Sequence, residues 1–566
     1  MSSSDMSNNE RSEHRQKRQR TVEDSNNHSD FWELVSRWIR SNGGCIHPAL
    51  ELSVLPVNFD VEGDGQNDTP EHERYIQLNR AVTKGTLLMK IPIEALISLK
   101  TVERATTGSL GSMLFQIVSS IDDDKLFHSK DDLLIALYLA TVSCNIGLFG
   151  DDVPAGKDDG DSYEGTKMYL STLPHNASYD GLPRRWSDEK IERLLKGSSV
   201  FKKVHKQKSG FISDYNLLKE GYEKHKCASC KNDKGNLAVE FASIVRFDEM
   251  LSAVGSRAFD ELGEENIDAM VPLLDLMNHK RGVGQTSDIM YVKGHDGSIN
   301  VTATNDMAAG QIPGITYGAK GNAQLLVNYG FCLENNYEPD FSSNNVLEFE
   351  VNGHSVELRS GPKSYSYGCF VKALELYRPL RDSDGCDRKN DKTDSKEEQS
   401  FGGVEDFLDA CEEEEGENEE GGAGFDFFND AGHDGDDDDD DDGKDSDLKA
   451  LDAFALALTE IKCEYSLSGS LLHDALTSSL PHSNERFCGH LVRSELETVD
   501  FYLRAIDLIQ QRLSLQSISP SSAKEILDAQ LSIFSGGEED AKLRLGLALQ
   551  LRDAFCSIRY PLKTKE

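Results

Sequence analysis

One stretch of this chain cannot fold by itself, and it divides everything else. Between Val404 and Asp447 stand 22 acidic residues and one basic residue, Lys444. The runs Glu412–Glu415 and Asp436–Asp442 repel themselves and hold too little apolar surface to offset the entropy of ordering. Residues 382–447 are therefore expected to form a disordered acidic insertion, with the globular parts on either side of it. Asp438, Asp440, Asp442 and Gly443 imitate the first half of a calcium loop, but its twelfth position falls on Lys449 where a glutamate is required. An unstructured spacer is a better reading of this segment than a lure for basic proteins.

The stretch from Val404 to Asp447 carries −21 of the formal net charge of −39, which leaves a moderately acidic protein. Nucleic-acid partners are not expected, because phosphate neutralisation needs a clustered basic surface. At about 100–200 residues per domain, 566 residues suggest two to four units. No apolar run reaches the roughly 18 residues of a membrane span, so no membrane partner is expected. Residues 1–30 lack the apolar core of a signal peptide and read as a disordered tail. The basic cluster His14–Arg20 in it is a solvated segment in preference to a nuclear-localisation signal. Eleven irregularly spaced cysteines fit free thiols in a reducing compartment, cytoplasmic or nuclear. Cys227 and Cys230 form a CxxC with no second pair nearby, so no metal site is expected.

Periodicity organises the rest. Phe31, Leu34, Val35, Trp38 and Ile39 predict an amphipathic helix ended by Asn42-Gly43-Gly44. Leu87 to Pro92 reads as a short strand and Asp131 to Val142 as a buried helix, with polar loops at 62–73 and 150–164. A helical region is expected up to about Met250. Short strands follow at 271–276, 289–292, 299–302, 315–317 and 346–351, the pattern of a small, irregular β fold. Helices are expected again at 368–378, 448–461, 494–513, 522–534 and 541–555.

Two segments of the β-rich region concentrate chemistry. Val271 to His279 ends an apolar run in Asn278-His279, and Thr316 to Phe331 contains Tyr317-Gly318 and Tyr329-Gly330-Phe331. Taken singly, such an Asn-His pair is usually a satisfied turn, and such a tyrosine is core with its hydroxyl paired. Taken together the motifs run in order: Ser256-Arg257-Ala258-Phe259, Asp275 to His279, Tyr317-Gly318 with Asn322, then Tyr329-Gly330-Phe331. In this the sequence resembles SET-domain protein-lysine methyltransferases of the Rubisco large-subunit methyltransferase type, a superfamily that includes the actin-histidine methyltransferase. The resemblance extends through Gly43-Gly44, Leu87 to Pro92, Tyr169 to Pro174 and Trp186, and into the helical C-terminal part.

The resemblance implies an α+β fold, with a SET domain of small irregular sheets and a pseudoknot-like active site. That domain would span residues 31–345 and be split by a helical insert at about 175–250. An all-α substrate-binding lobe would take residues 346–381 and 448–566. The implied cofactor is S-adenosylmethionine, held by Asn278 and His279 and lined by Asp275, Leu276, Met277, Phe331 and the Ser109-Leu110-Gly111 turn. Tyr329 would be the catalytic tyrosine, and Arg257, Tyr291 and Tyr317 would contact the substrate. The implied partner is a protein substrate, for which a basic one is the natural candidate, and the chain is expected to be a monomer. The actin-histidine enzyme has a serine where Tyr329 stands, which favours lysine as the acceptor. The alternatives are a histidine-directed methyltransferase and a catalytically weakened binding module. The chain departs from the family pattern at Glu73 to Asn79, which lacks the usual Gly-x-Gly, and at Gly310 to Gly314, where Pro313 removes a ladder donor.

Overall fold

The computed structural model describes residues 32–57, 71–104, 110–144, 161–170, 172–173, 179–229, 241–259, 268–281, 287–378, 440–478, 482–514 and 538–559. The N-terminal tail, residues 382–439 of the acidic insertion, Cys230 and the helix expected at 522–534 lie outside the described residues. Two compact units emerge, one made of residues 1–376 and 454–566, the other of residues 377–453.

In the first unit the expected amphipathic helix forms over 32–41 (α1). The strands are β1 (Cys45–Ile46), β2 (Leu50–Val57), β3 (Glu71–Leu78), β4 (Leu87–Ile91), β5 (Ala258–Phe259), β6 (Ala269–Met270), β7 (Ile289–Lys293), β8 (Ile299–Ala303), β9 (Leu347–Val351) and β10 (His354–Leu358). Four of them build an antiparallel sheet in the order β1-β4-β8-β7, while β2-β3, β5-β6 and β9-β10 pair separately. The segment that lacks the glycines, Glu73 to Leu78, is strand β3, registered residue for residue against β2.

The long excursion between β4 and β5 is helical: α2 (Leu99–Arg104), α3 (Leu110–Ser119), α4 (Lys130–Cys144), α5 (Asp161–Leu170), α6 (Asp188–Leu195), α7 (Phe201–Ser229) and α8 (Ile244–Arg257). Every residue of α4 from Leu133 to Val142 is buried. That is what an all-apolar helix must do in water. Its burial joins the sheet residues Leu88, Met89, Ile91, Ile299 and Val301 in the main core. After β8 come α9 (Asn322–Tyr329) and, beyond β10, α10 (Lys363–Tyr377), α11 (Asp440–Glu464), α12 (Gly469–Leu476), α13 (Asn484–Ser514) and α14 (Glu538–Arg559). A second core joins Leu326 and Val327 of α9 to Leu194 and Leu195 of α6 and to Cys488 and Leu491 of α13. Among the described residues no helix is long and apolar enough to cross a membrane.

Three sequence expectations are corrected. The run at 271–276 is not a strand: pairing stops at Met270, and Leu274–Leu276 is a 3-10 turn. Pro272 cannot donate to a ladder, and a short apolar run cannot by itself distinguish a strand from a buried turn. The strand expected at 315–317 shrinks to one parallel bridge, His279 to Ile315, between Pro313-Gly314 and Gly318. Finally, residues 440–447 of the acidic insertion open helix α11. Carboxylates are favoured at a helix N-terminus by the backbone dipole. In this second unit the buried Asp447 accepts from Arg378 Nε at 2.9 Å.

Candidate active site

The site begins with a strained backbone. Leu273 is fully buried yet holds φ 72°, ψ −34°. A left-handed leucine costs of order 1–3 kcal/mol and persists only where surrounding packing enforces it. The reversal lets the 3-10 turn bring Asp275, Leu276 and Met277 inside and deliver Asn278 and His279 to the surface. Asp275, Leu276 and Met277 are buried, His279 is half-buried and the Asn278 side chain is exposed.

The chain then crosses residues 313–317 side by side. The Ile315 amide donates to Asn278 O at 3.0 Å, and Lys280 N donates to Ile315 O at 2.7 Å. Tyr317 N donates to His279 Nδ1 at 2.9 Å, and the Tyr317 hydroxyl donates to Met277 O at 2.9 Å. An imidazole nitrogen that accepts from an amide must be unprotonated, so the neutral ring carries its proton on Nε2. Burial, helped by the charges of Arg281 and Lys320, lowers the His279 pKa to about 4.

That value makes a prediction. Unfolded, the imidazole titrates near 6.5. Between about 4 and 6.5 the unfolded chain binds the extra proton and the folded chain does not. Stability is thus fully present above 6.5 and is lost as pH falls through this window. Following the His279 ring by NMR should give an apparent pKa near 4. A value of 6 or above would mean that the Tyr317 amide is not bonded to it.

Helix α9 supplies the opposite side. Its C-terminal residue is Tyr329, and Gly330 closes it with φ 79°, donating its amide to Leu326 O at 3.0 Å. Only glycine suits this position twice over. The conformation is left-handed, and a Cβ there would lie 2.9 Å from the Gly181 carbonyl carbon. Tyr329 therefore ends a helix. Its ring stacks on Tyr317 at 4.9 Å between centroids and meets the edge of Phe331 at 6.2 Å. His279 lies 5.0 Å from Tyr317 and 6.3 Å from Phe331. These four half-buried rings form one cluster. Tyr291, on β7, packs edge-on against Phe259 of β5 at 5.3 Å.

Behind the 3-10 turn lies a polar cluster. Arg257, the last residue of α8, donates to Asp275 O at 2.8 Å and approaches Asp275 Oδ2 at 3.5 Å. The fully buried Tyr169 donates to the same Oδ2 at 2.8 Å. Burial raises the Asp275 pKa, with Arg257 and Tyr169 acting against it. Burial likewise pushes the Tyr179 hydroxyl up to about 12, against the pull of Arg257. Arg74 of β3, bonded to Thr172 O at 3.1 Å, completes the cluster, its pKa lowered by burial and by Arg257.

The structure thus brings together His279, Tyr317, Tyr329 and Phe331 in one group and Tyr291 with Phe259 in another. Arg257 and Asp275 sit together behind them. Ser109 lies outside the described residues, and of Leu110 and Gly111 only the backbone at the start of α3 is described. Sequence reasoning missed Tyr169, Tyr179, Arg74 and Asp288, whose carboxylate accepts from Lys280 Nζ and the Gly314 amide. Tyr169 and Arg74 at least lie in segments that the family pattern covers. The others had no local signal.

No family model matches the chain. In structure it is similar to the SET domain of LSMT bound to lysine and AdoHcy, with a TM-score of 0.53 at 15% identity over 91% of this chain and 98% of the other. Rubisco LSMT bound to sinefungin and monomethyllysine gives 0.51 with the same identity and coverage. The likeness shows that this chain has the fold of these SET domains. Among curated proteins it is similar to the actin-histidine N-methyltransferase of Gallus gallus, 24% identical over 54% of this chain and 43% of that protein. It is also similar to the ribosomal lysine N-methyltransferase set11 of Schizosaccharomyces pombe, 22% identical over 55% of this chain and 64% of that protein. The chain thus spans less than half of the actin-histidine relatives. In the SET frame, the crossing of residues 278–281 with 313–317 is where the motifs separated in sequence meet.

Proposed function

We propose that this chain is a protein-lysine N-methyltransferase using S-adenosylmethionine. The observation that carries the reading is the stack of Tyr329 on Tyr317 beside a neutral His279. Four half-buried aromatic rings suit a flat base and a sulfonium cation, which aromatic faces attract. A Cβ built on Gly318 would meet nothing within 4 Å, so the backbone beside Tyr317 borders open space. Asn278, His279 and Phe331 would hold the cofactor, which when bound supplies a methyl group on a positive sulfur.

The chain's own residues have two tasks. The first is alignment, because an in-line displacement between held partners gains most from orientation. The Tyr329 hydroxyl would orient the acceptor amine through a hydrogen bond, and the Phe259–Tyr291 pair would wall its approach. The second is deprotonation. A lysine amine with a reference pKa near 10.4 has no free lone pair and attacks nothing while protonated. An aromatic wall lowers that pKa by desolvation. Both the lysine enzyme and the histidine enzymes among the relatives support methyl transfer to a protein side chain. Residues 346–381 and 448–566 would form the lobe that receives the protein substrate, and the helices at about 175–250 the insert.

Two measurements test this. Saturating S-adenosylmethionine at about 100 times its dissociation constant should stabilise the folded chain by about 2.7 kcal/mol, read as a rise in Tm. No rise favours the binding-module alternative. Labelled methyl transfer into a protein extract should occur with wild type and fall at least tenfold in Tyr329→Phe. Hydrolysis of the labelled product should yield methyllysine, and methylhistidine there would establish the other acceptor.

A further inference from the structure

The motif asparagine, Asn322, has both polar atoms of its side-chain amide in hydrogen bonds, and nothing above gives it a task. It is 1% exposed and opens α9, the helix that ends in Tyr329. Its side-chain amide exchanges two hydrogen bonds with one backbone residue beyond that helix. Asn322 Nδ2 donates to Leu333 O at 3.0 Å, and Leu333 N donates to Asn322 Oδ1 at 3.0 Å. Its own amide donates to Asn345 Oδ1 at 2.8 Å. Asn336 Nδ2 donates to Lys320 O at 2.9 Å, and Asn344 Nδ2 donates to Asn336 Oδ1 at 3.1 Å. Asn344 also donates to Glu338 Oε1 at 2.8 Å, which accepts from Arg281 Nε at 2.7 Å, two residues beyond His279.

We infer that Asn322 is a positioning residue: its amide closes the loop 322–333 and thereby fixes Tyr329, Gly330 and Phe331 against His279 and Tyr317. The inference rests on the methyltransferase reading for its kinetic consequence, not for the clamp itself. The first residue of α9 is tied to the fourth residue after Tyr329, so the turn at Gly330 cannot open without breaking both bonds. The asparagine chain then carries that constraint through Glu338 to Arg281, on the segment that holds His279. A paired amide has both a donor and an acceptor in one plane, which is what an exchange with one peptide unit requires. Aspartate has the same shape but would set a second acceptor against Leu333 O.

The experiment compares Asn322→Asp and Asn345→Ala with wild type by amide hydrogen exchange and by methyl transfer. In Asn322→Asp the Leu333 amide should exchange at least tenfold faster, while Leu88 and Val301 in the central sheet change less than threefold. Turnover at saturating cofactor should fall tenfold or more, and the cofactor dissociation constant should rise as Phe331 loosens against His279. Asn345→Ala, which removes the acceptor for the Asn322 amide and for a longer bond from Asn336, should give the same pattern at smaller size. An unchanged Leu333 amide in both variants overturns the inference. So does faster exchange with unaltered turnover, and so does equal acceleration across the sheet, which would mark a merely structural residue. If wild type transfers no methyl group, the functional reading fails, and the exchange data alone still decide whether the clamp exists.

Discussion

Arg257→Met should cost about 3–5 kcal/mol of stability, the range for breaking a buried ion pair from one side. The effect follows from what the substitution leaves behind. Asp275 has a side chain with no exposure, and among the described residues its Oδ1 already has no hydrogen-bond partner. Without the guanidinium, the Tyr169 hydroxyl would be the side-chain donor left on the carboxylate among the described residues. The Asp275 carbonyl would lose its donor as well. An uncompensated buried carboxylate responds by taking up a proton, so Arg257→Met should be less destabilising at pH 5 than at pH 8. The double variant Arg257→Met/Asp275→Leu removes both charges and should recover part of the loss, since apolar replacements of buried pairs are often neutral or better. Chemical denaturation of the four proteins of this cycle at two pH values measures the coupling. A single variant within 1 kcal/mol of wild type, or a double no better than the single, would show that the pair is not the buried unit described. Methyl transfer should fall by more than the stability loss explains, because the 3-10 turn that Arg257 braces leads directly to Asn278 and His279.

The comparison of sequence and structure shows where local pattern suffices. Helix α4 was legible because ten consecutive buried residues leave a chain no other solution, and β7 and β8 because their β-branched alternation matches a half-buried pleat. The 3-10 turn at Leu274–Leu276 was not legible. Its apolar residues satisfy a strand pattern equally well, and what decides is a left-handed Leu273 enforced by packing from elsewhere. Helix α9 was hidden for a related reason. Eight residues between two glycines carry little periodicity, and its burial depends on α6 and α13, which come from distant parts of the chain. The ring cluster could be named residue by residue only through the resemblance to a family. The polar groups beneath it could not, because Tyr169, Arg74 and Asp288 become neighbours of the site only after the chain has crossed itself.

Asp288 is the second position where a large effect is expected, and it has no sequence signature at all. It is 1% exposed and stands just before β7. Lys280 Nζ donates to both its oxygens, at 2.9 and 3.0 Å, and the Gly314 amide donates to Oδ2 at 3.0 Å. Lys280 follows His279 directly, and Gly314 precedes Ile315, so one carboxylate grips both segments of the crossing. Asp288→Ala would strand a buried amide and a half-buried ammonium. It should cost about 3–5 kcal/mol by analogy with other broken buried pairs. Asp288→Asn keeps one acceptor for the amide but drops the charge, and should cost roughly half as much. Because the parallel bridge between His279 and Ile315 has no strand to support it, the loss should be local before it is global. Cofactor affinity should therefore fall at least tenfold in Asp288→Asn under conditions where thermal unfolding shows the chain still folded. Retention of full affinity in a folded Asp288→Asn protein would mean that the crossing holds without its carboxylate and that the ring cluster is organised by α9 alone.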